Sequence, residues 1–332
     1  LGAAAVDLEC DDELHGQGGP LGRPIEVHGH VLTNRFAVHP MEGWDAQPDG
    51  LPSDLTLRRW RNFGRSGAKL IWGGEAFAVQ ADGRANPIQL FLRDGDSSVR
   101  DLEALRAEVL AGREEIGAAA DIGPIGLQLT HSGRWSRPDG PPAPRPATRD
   151  ELLDDRAGAN AAVLSDDELL AIQNRSVAAA RAAERAGFDF VDVKACHGYL
   201  LHELLGARAR EGRYGGAAFE DRTRFLVETI ERIRDEAPGL EIGCRVSLAD
   251  VVPHRPSTEH ADRRGEPAAL AWSHGFGVNG DSPTEFDLDE PQRFLALLAE
   301  HDVTLVNVTL GSPYYNPHLQ RPAAYPPSDG YQ

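Results

Sequence analysis

In the stretch VDVKACHGYL, residues 191–200, an alternating apolar run gives way to Lys194, Cys196, His197 and Tyr199. An ammonium, an imidazole and a phenol can each donate a hydrogen bond or a proton. A strand-end lysine can also form a Schiff base with a carbonyl compound. Polar clusters close four other apolar runs in the same way: HPMEGWD (39–45), GGEAFAV (73–79), QLTHSGR (128–134) and RVS (245–247). Any one of these residues alone reads as readily as a helix cap or a satisfied loop side chain. Five successive strand ends so furnished read as one built site.

The elements that must carry them are short β-branched runs separated by helical patterns. Strands are expected at RFAVHP (35–40), KLIWGG (69–74), IGLQLT (125–130), FDFVDVK (188–194), EIGCRVS (241–247) and VTLVNVT (303–309). Helices are expected over 97–120, 165–187 and 221–239; the second opens on Ser165 with acids in its first turn and closes on Gly187. Strands apolar on both faces, alternating with helices, indicate βα units and a parallel sheet. The fold class is therefore α/β, of (β/α)8 TIM-barrel type, in which sites gather at the C-terminal strand ends. A Rossmann sheet is the competitor, and no G-x-G-x-x-G follows any strand. About six βα units are counted, two short of a full barrel. The chain thus reads as C-terminally incomplete, and its start, without Met, as incomplete too. Residues 1–30 read as a lead-in and 31–332 as the barrel domain, with polar insertions at about 137–164 and 250–290.

Composition narrows the function classes. Among 332 residues, 41% are hydrophobic and 26% charged, and 52 acids against 34 bases give a net charge of -18. So negative a surface repels phosphate backbones and anionic membranes, which argues against nucleic-acid and membrane partners. No run approaches the roughly 20 apolar residues of a membrane helix. Three scattered cysteines (Cys10, Cys196, Cys244) fit a reducing, cytoplasmic setting rather than a disulfide framework. The expected partner is a small-molecule substrate, with a homo-oligomer left open.

NRFAVHPM, GLQLTHSGR, KACHGYLLHELL and RYGGAAFEDRTRF, in that order, resemble the old yellow enzyme family of FMN-dependent oxidoreductases, in its NADH:flavin oxidoreductase branch. The resemblance runs from about residue 31 to 313. It implies FMN, with NADH or NADPH as electron donor, and hydride delivery from flavin N5 to an activated alkene. It also implies that the Pro40–Met41 turn holds the ring edge through backbone groups, with Glu42 and Ala76 beside the ring. Gln128 would contact the pyrimidine edge, and Arg245 would face N1. A guanidinium there offsets the negative charge that reduced flavin gathers; otherwise an arginine in an apolar strand is a structural ion pair. By the same resemblance, Lys194 and His197 would grip the acceptor's activating oxygen, and Tyr199 would supply a proton. In relatives, the last two strands hold the FMN phosphate.

Two positions depart from the family. Lys194 stands where a His is usual, a charged flexible donor in place of a flat one. Glu42 stands where a Cys or Thr is common. Lys194 is expected to take a more anionic substrate or to pair with Glu42 or Glu75, so that the two charges compensate. His131 either lines the pocket or caps the next helix, and Trp44 and Trp72 either pack near the flavin or fill the core, with the core expected. His28 and His30 read as an exposed strand pair with no third ligand, hence no metal. Cys196 is expected to point away from substrate, and residues 312–331 to wall the mouth. Two other classes stay open: a barrel aldolase or lyase with Lys194 as Schiff-base lysine, and a non-catalytic flavin- or ligand-binding remnant.

Overall fold

The computed structural model describes residues 18–118, 123–157, 161–256 and 265–317. Cys10, the lead-in before residue 18 and most of the aromatic tail lie outside the described residues. A hairpin of β1 (Ile25–Val27) and β2 (His30–Leu32) comes first. It is followed by β3 (Ala37–Val38), α1 (Asp54–Arg65), β4 (Leu70–Ile71), β5 (Ala76–Ala78), α2 (Ser97–Glu115) and β6 (Gly126–Thr130). Then come α3 (Glu151–Ala157), α4 (Asp166–Arg185), β7 (Phe190–Ala195), α5 (Leu200–Leu205), α6 (Phe219–Glu236) and β8 (Glu241–Ser247). Two small hairpins, β9 (His254–Pro256) with β10 (Gly265–Pro267) and β11 (Val278–Asn279) with β12 (Ser282–Phe286), precede α7 (Asp289–Glu300) and β13 (Leu305–Thr309).

Five strands form one parallel sheet in the order β13-β8-β7-β6-β5, and β3 pairs with β4 in parallel. A bridge from Ile71 to Ile125 ties β4 to the start of β6, so β4 and β5 are two halves of one strand interrupted at Gly73–Gly74. That interruption is a departure from the single strand expected at 69–74: the chain re-enters the sheet and carries Ala76 into register with Gln128. Six parallel positions thus follow one another in chain order, the winding of a TIM-type α/β barrel.

Side chains alternate along each strand. Leu127, Leu129, Val191, Val193, Ile242, Cys244 and Val246 pack outward against Leu102, Leu105, Ile172, Phe225, Ile230 and Phe294 of the helices, forming the main core. Trp72, Phe190 and Leu305 cluster separately, with Leu70 and Val27 against them. The β1–β2 hairpin closes this end, because His28 reaches Thr304 (2.7 Å) and Glu241 (3.2 Å) at the starts of β13 and β8. His28 is therefore a turn residue (φ 48°) with partners rather than a strand residue, while His30 begins β2, and both are exposed as expected. The α4 cap is as expected: Ser165 and Glu168 satisfy each other's backbone N–H.

Helices α1 and α2 cross at two glycines. A Cβ on Gly64 would meet the Val109 carbonyl oxygen at 2.1 Å, and one on Gly112 would meet that of Arg61 at the same distance. Backbone touching backbone fixes how closely these two helices pack. Of the acids in the polar segment 137–164, Asp150 and Asp154 are buried against partners. Arg134 bonds Asp154, Glu203 and the Thr148 carbonyl, and Trp272 donates to Asp150 at 3.0 Å. Among the described residues, no helix is long and apolar enough to cross a membrane.

Candidate active site

The inward positions of the central strands meet at the C-terminal rim. Asp192 and Lys194 of β7 stand in register with Gly243 and Arg245 of β8, and Gln128 of β6 stands beside Asp192. Lys194 is 3% exposed. Its Nζ lies 2.5 Å from Glu42 Oε1 and 3.7 Å from the centre of the Tyr199 ring. Burial alone would raise the Glu42 carboxyl, but the charge and hydrogen bond of Lys194, helped by the Tyr199 phenol, hold it below its ordinary value. Of the two partners expected for Lys194, the fold supplies Glu42. Glu75, fully buried, instead takes Arg59 (2.6 Å) and the Gly43 N–H (2.7 Å). Burial outweighs Arg59 there and pushes the Glu75 carboxyl up to about 7.

After β7 the chain turns sharply. His197 (φ 65°) and Gly198 (φ 74°) are both left-handed, an unfavourable conformation for a histidine that its surroundings must hold. The holding groups are specific. His197 N–H donates to Ser247 Oγ at 3.0 Å, and its carbonyl accepts from Ser312 Oγ at 2.6 Å. Gly198 N–H donates to His202 Nδ1 at 2.8 Å. A Cβ at Gly198 would meet Tyr315 at 2.9 Å, so only glycine fits. The turn sends the His197 ring toward Thr309 on β13 (3.3 Å between Nε2 and Oγ1) and folds Tyr199 back over Lys194. Lys194 and His197 thus take different partners, Glu42 in the loop after β3 and Thr309 on β13.

On the floor, Gln128 is fully buried and donates from Nε2 to Asp192 Oδ2 at 2.6 Å, while its Oε1 has no partner among the described residues. Burial, against the Gln128 hydrogen bond, raises the Asp192 carboxyl. Arg245 Nη1 donates to the Pro40 carbonyl at 3.3 Å, and its Nε is buried without a partner among the described residues. Ala76 is fully buried, and Met41 contributes its carbonyl, which accepts from Ala76 N–H, while its side chain is 69% exposed. Buried polar atoms are normally satisfied. An orphaned amide oxygen and an orphaned guanidinium N–H, with the small Ala76 in register beside Gln128, fit the donor–acceptor edge of a flat, anion-forming ring such as that of FMN.

Other expectations are decided individually. His131 is buried and pushed down to about 4 by burial, with Arg145 adding to this and Asp82 opposing it. Its Nδ1 accepts the Gly133 N–H at 3.1 Å, so it caps the turn. Trp72 is in the core, but Trp44 is not: it is 68% exposed, because the loop after β3 aims it outward. Cys196 is fully buried, and burial pushes its thiol up to about 12. Sequence reasoning missed Trp135, Ser312, Tyr314 and His202. Tyr314 stacks on Trp135 (4.7 Å between ring centres, 3° between planes) and shares a 2.7 Å hydrogen bond with the Tyr199 hydroxyl. The only signal was position: each lies within six residues of a barrel strand's C-terminal end or of the HGY turn.

Residues 20–271, more than half of the chain, match the model of the NADH:flavin oxidoreductase / NADH oxidase family. NADH:flavin oxidoreductase FG08077 of Gibberella zeae is 27% identical over 307 residues, covering 87% of this chain and 66% of that protein. An NADPH dehydrogenase of Geobacillus sp. (strain WCH70) is 31% identical over 240 residues, covering 69% of this chain and 64% of that protein. The chain therefore spans less than two thirds of the length of these relatives. Among solved structures, Old Yellow Enzyme from Pichia sp. AKU4542 shares the fold at a TM-score of 0.61 and 21% identity, over 91% of this chain and 73% of that one.

Proposed function

This chain belongs to the NADH:flavin oxidoreductase / NADH oxidase family, and on that premise we propose that it serves an FMN-dependent NAD(P)H oxidoreductase acting on activated alkenes. Bound FMN would supply the two-electron carrier that takes hydride from a reduced nicotinamide and gives it to the acceptor. The observation that carries the reading is the pair of buried orphans, Gln128 Oε1 and Arg245 Nε, below the mouth that Lys194 and Tyr199 close.

The roles follow from chemistry. Gln128, its amide oriented by Asp192, would accept from the ring's imide N–H. Arg245 would offset negative charge on the pyrimidine side. Pro40, Met41, Glu42 and Ala76 would border the ring. Lys194 and His197 would donate to the acceptor's activating oxygen as charge gathers there, and Tyr199 would give the α-carbon its proton. A cytoplasmic setting and a small-molecule acceptor belong to the same proposal.

The decisive experiment is purification of the protein followed by anaerobic titration with NADPH, NADH and then cyclohexenone. A yellow protein that bleaches with a nicotinamide and recolours with the enone supports the reading; a colourless protein that FMN cannot reconstitute sinks it. A Schiff-base lysine must present a neutral amine, whereas Lys194 is held in an ion pair with Glu42. Borohydride trapping of a carbonyl ligand on Lys194 would favour that second class instead.

A further inference from the structure

Tyr199 is 2% exposed. If it supplies a proton at each turnover, as the function proposed above requires, another proton must reach it from solvent. Among the described residues, two groups touch its hydroxyl. Glu42 is one, and its carboxyl is held below the ordinary range, ionised at neutral pH and with no proton to give. Tyr314 is the other, a phenol whose oxygen lies 2.7 Å from that of Tyr199, a normal O–H···O separation. Tyr314 is only partly buried, whereas Tyr199 is sealed.

We propose that Tyr314 is the proton relay of this site, returning to Tyr199 the proton that alkene reduction removes. The balance is simple. When the α-carbon gains its C–H bond, the Tyr199 O–H bond breaks and a phenolate remains. The Tyr314 O–H bond then breaks as that of Tyr199 re-forms, and Tyr314 recovers a proton from water or buffer. No electrons move in the relay. The Lys194 ammonium, 3.7 Å from the Tyr199 ring centre, favours the transient phenolate.

The placement of Tyr314 is built in. Its ring lies flat on Trp135, and its N–H donates to Ser312 Oγ at 3.2 Å. The same Ser312 hydroxyl holds the His197 carbonyl, so one segment after β13 positions both the relay and the turn that carries the acid. Next to it, Tyr315 donates to Asp250 at 2.6 Å and anchors the segment from behind. Phenylalanine at position 314 would keep the stack on Trp135 and remove only the hydroxyl.

Two readouts test this in Tyr314→Phe. The first needs no flavin. With tyrosine labelled at Cζ, the resonance that disappears in Tyr199→Phe identifies Tyr199, and it is expected to shift in Tyr314→Phe as the hydrogen bond is lost. An unmoved resonance overturns the proposal. The second is reoxidation of the reduced holoprotein by cyclohexenone and, separately, by a quinone whose oxygens take protons directly from water. Reoxidation by the enone is expected to slow about tenfold or more, with a larger solvent isotope effect, while the quinone rate stays at the wild-type value. Equal slowing of both, or of neither, overturns the relay. If the wild-type protein reacts with quinone but not with any enone, the alkene-reductase reading itself fails and takes the relay with it. If only the variant fails with the enone, the relay stands on a working enzyme.

Discussion

Lys194 Nζ and Glu42 Oε1 meet at 2.5 Å across the mouth of the barrel, joining the end of β7 to the loop after β3 over 152 residues of chain. Both departures from the family pattern are thereby one feature: the cation and the carboxylate neutralise each other beside the proposed ring site. Removing one partner of a largely buried pair leaves the other uncompensated and costs about 3 kcal/mol or more, whereas removing both is much cheaper. Glu42→Gln and Lys194→Met are each expected to lower the urea-unfolding free energy, and the double variant to lose less than their sum by about 1 kcal/mol or more. The FMN potential should shift in opposite directions in the two singles and return close to the wild-type value in the double. Additive losses of stability, or potential shifts of the same sign in the singles, would show that the two groups do not compensate each other.

The Glu75 carboxyl predicts a pH dependence. Its ordinary value is 4.5 and burial raises it to about 7 in the folded protein, against the pull of Arg59. A raised folded value means that the native state binds more protons than the unfolded chain between those limits. The contribution of Glu75 to stability is therefore full below pH 4.5 and is lost as pH rises through 7, to the extent of roughly 3 kcal/mol. Denaturant titrations of wild type and Glu75→Gln at pH 5 and pH 7.5 isolate it: the wild type should lose more on going to the higher pH. Parallel pH dependence in the two proteins contradicts the assignment.

His202 holds the HGY turn through one bond, Gly198 N–H to its Nδ1 at 2.8 Å. Burial lowers its imidazole, which keeps that acceptor unprotonated, although Asp250 pulls the other way. His202→Leu orphans a buried N–H and is expected to cost about 1–3 kcal/mol. Asn places an oxygen where Nδ1 stands, so His202→Asn should recover most of the loss. Equal loss in the two variants, measured by thermal and urea unfolding, would mean that packing rather than the hydrogen bond matters.

Gly112→Ala sets helix propensity against packing. In an open helix the change gains up to about 1 kcal/mol. Here the added methyl would sit 2.1 Å from the Arg61 carbonyl oxygen, a backbone atom that cannot rotate away. Overpacking costs typically about 1–3 kcal/mol and wins, so the variant should unfold at lower urea. A stabilised Gly112→Ala protein would show that α1 and α2 are free to move apart.

Much of the barrel was legible before any coordinates. The outward faces of β6, β7 and β8 are apolar runs that only a helical layer could cover, and the Ser165–Glu168 cap marks the start of α4 through residues three apart. The left-handed turn was foreshadowed by its glycine and by the reactive residues around it. The break between β4 and β5 was not, because Gly73–Gly74 ends a strand and GGEAFAV resumes one within two residues.

The sequence by itself determined the order of the main parallel strands and three of the helices between them, α2, α4 and α6, but not α1 or α7, since the first set shows in side-chain period and in caps made by near neighbours. Only the tertiary structure decided partners: Glu42 and not Glu75 for Lys194, Tyr314 for Tyr199 from 115 residues away, and solvent rather than the core for Trp44. Such pairings depend on where the parallel sheet brings distant loops, and a charge or a phenol carries no local signal of which opposite group it will meet.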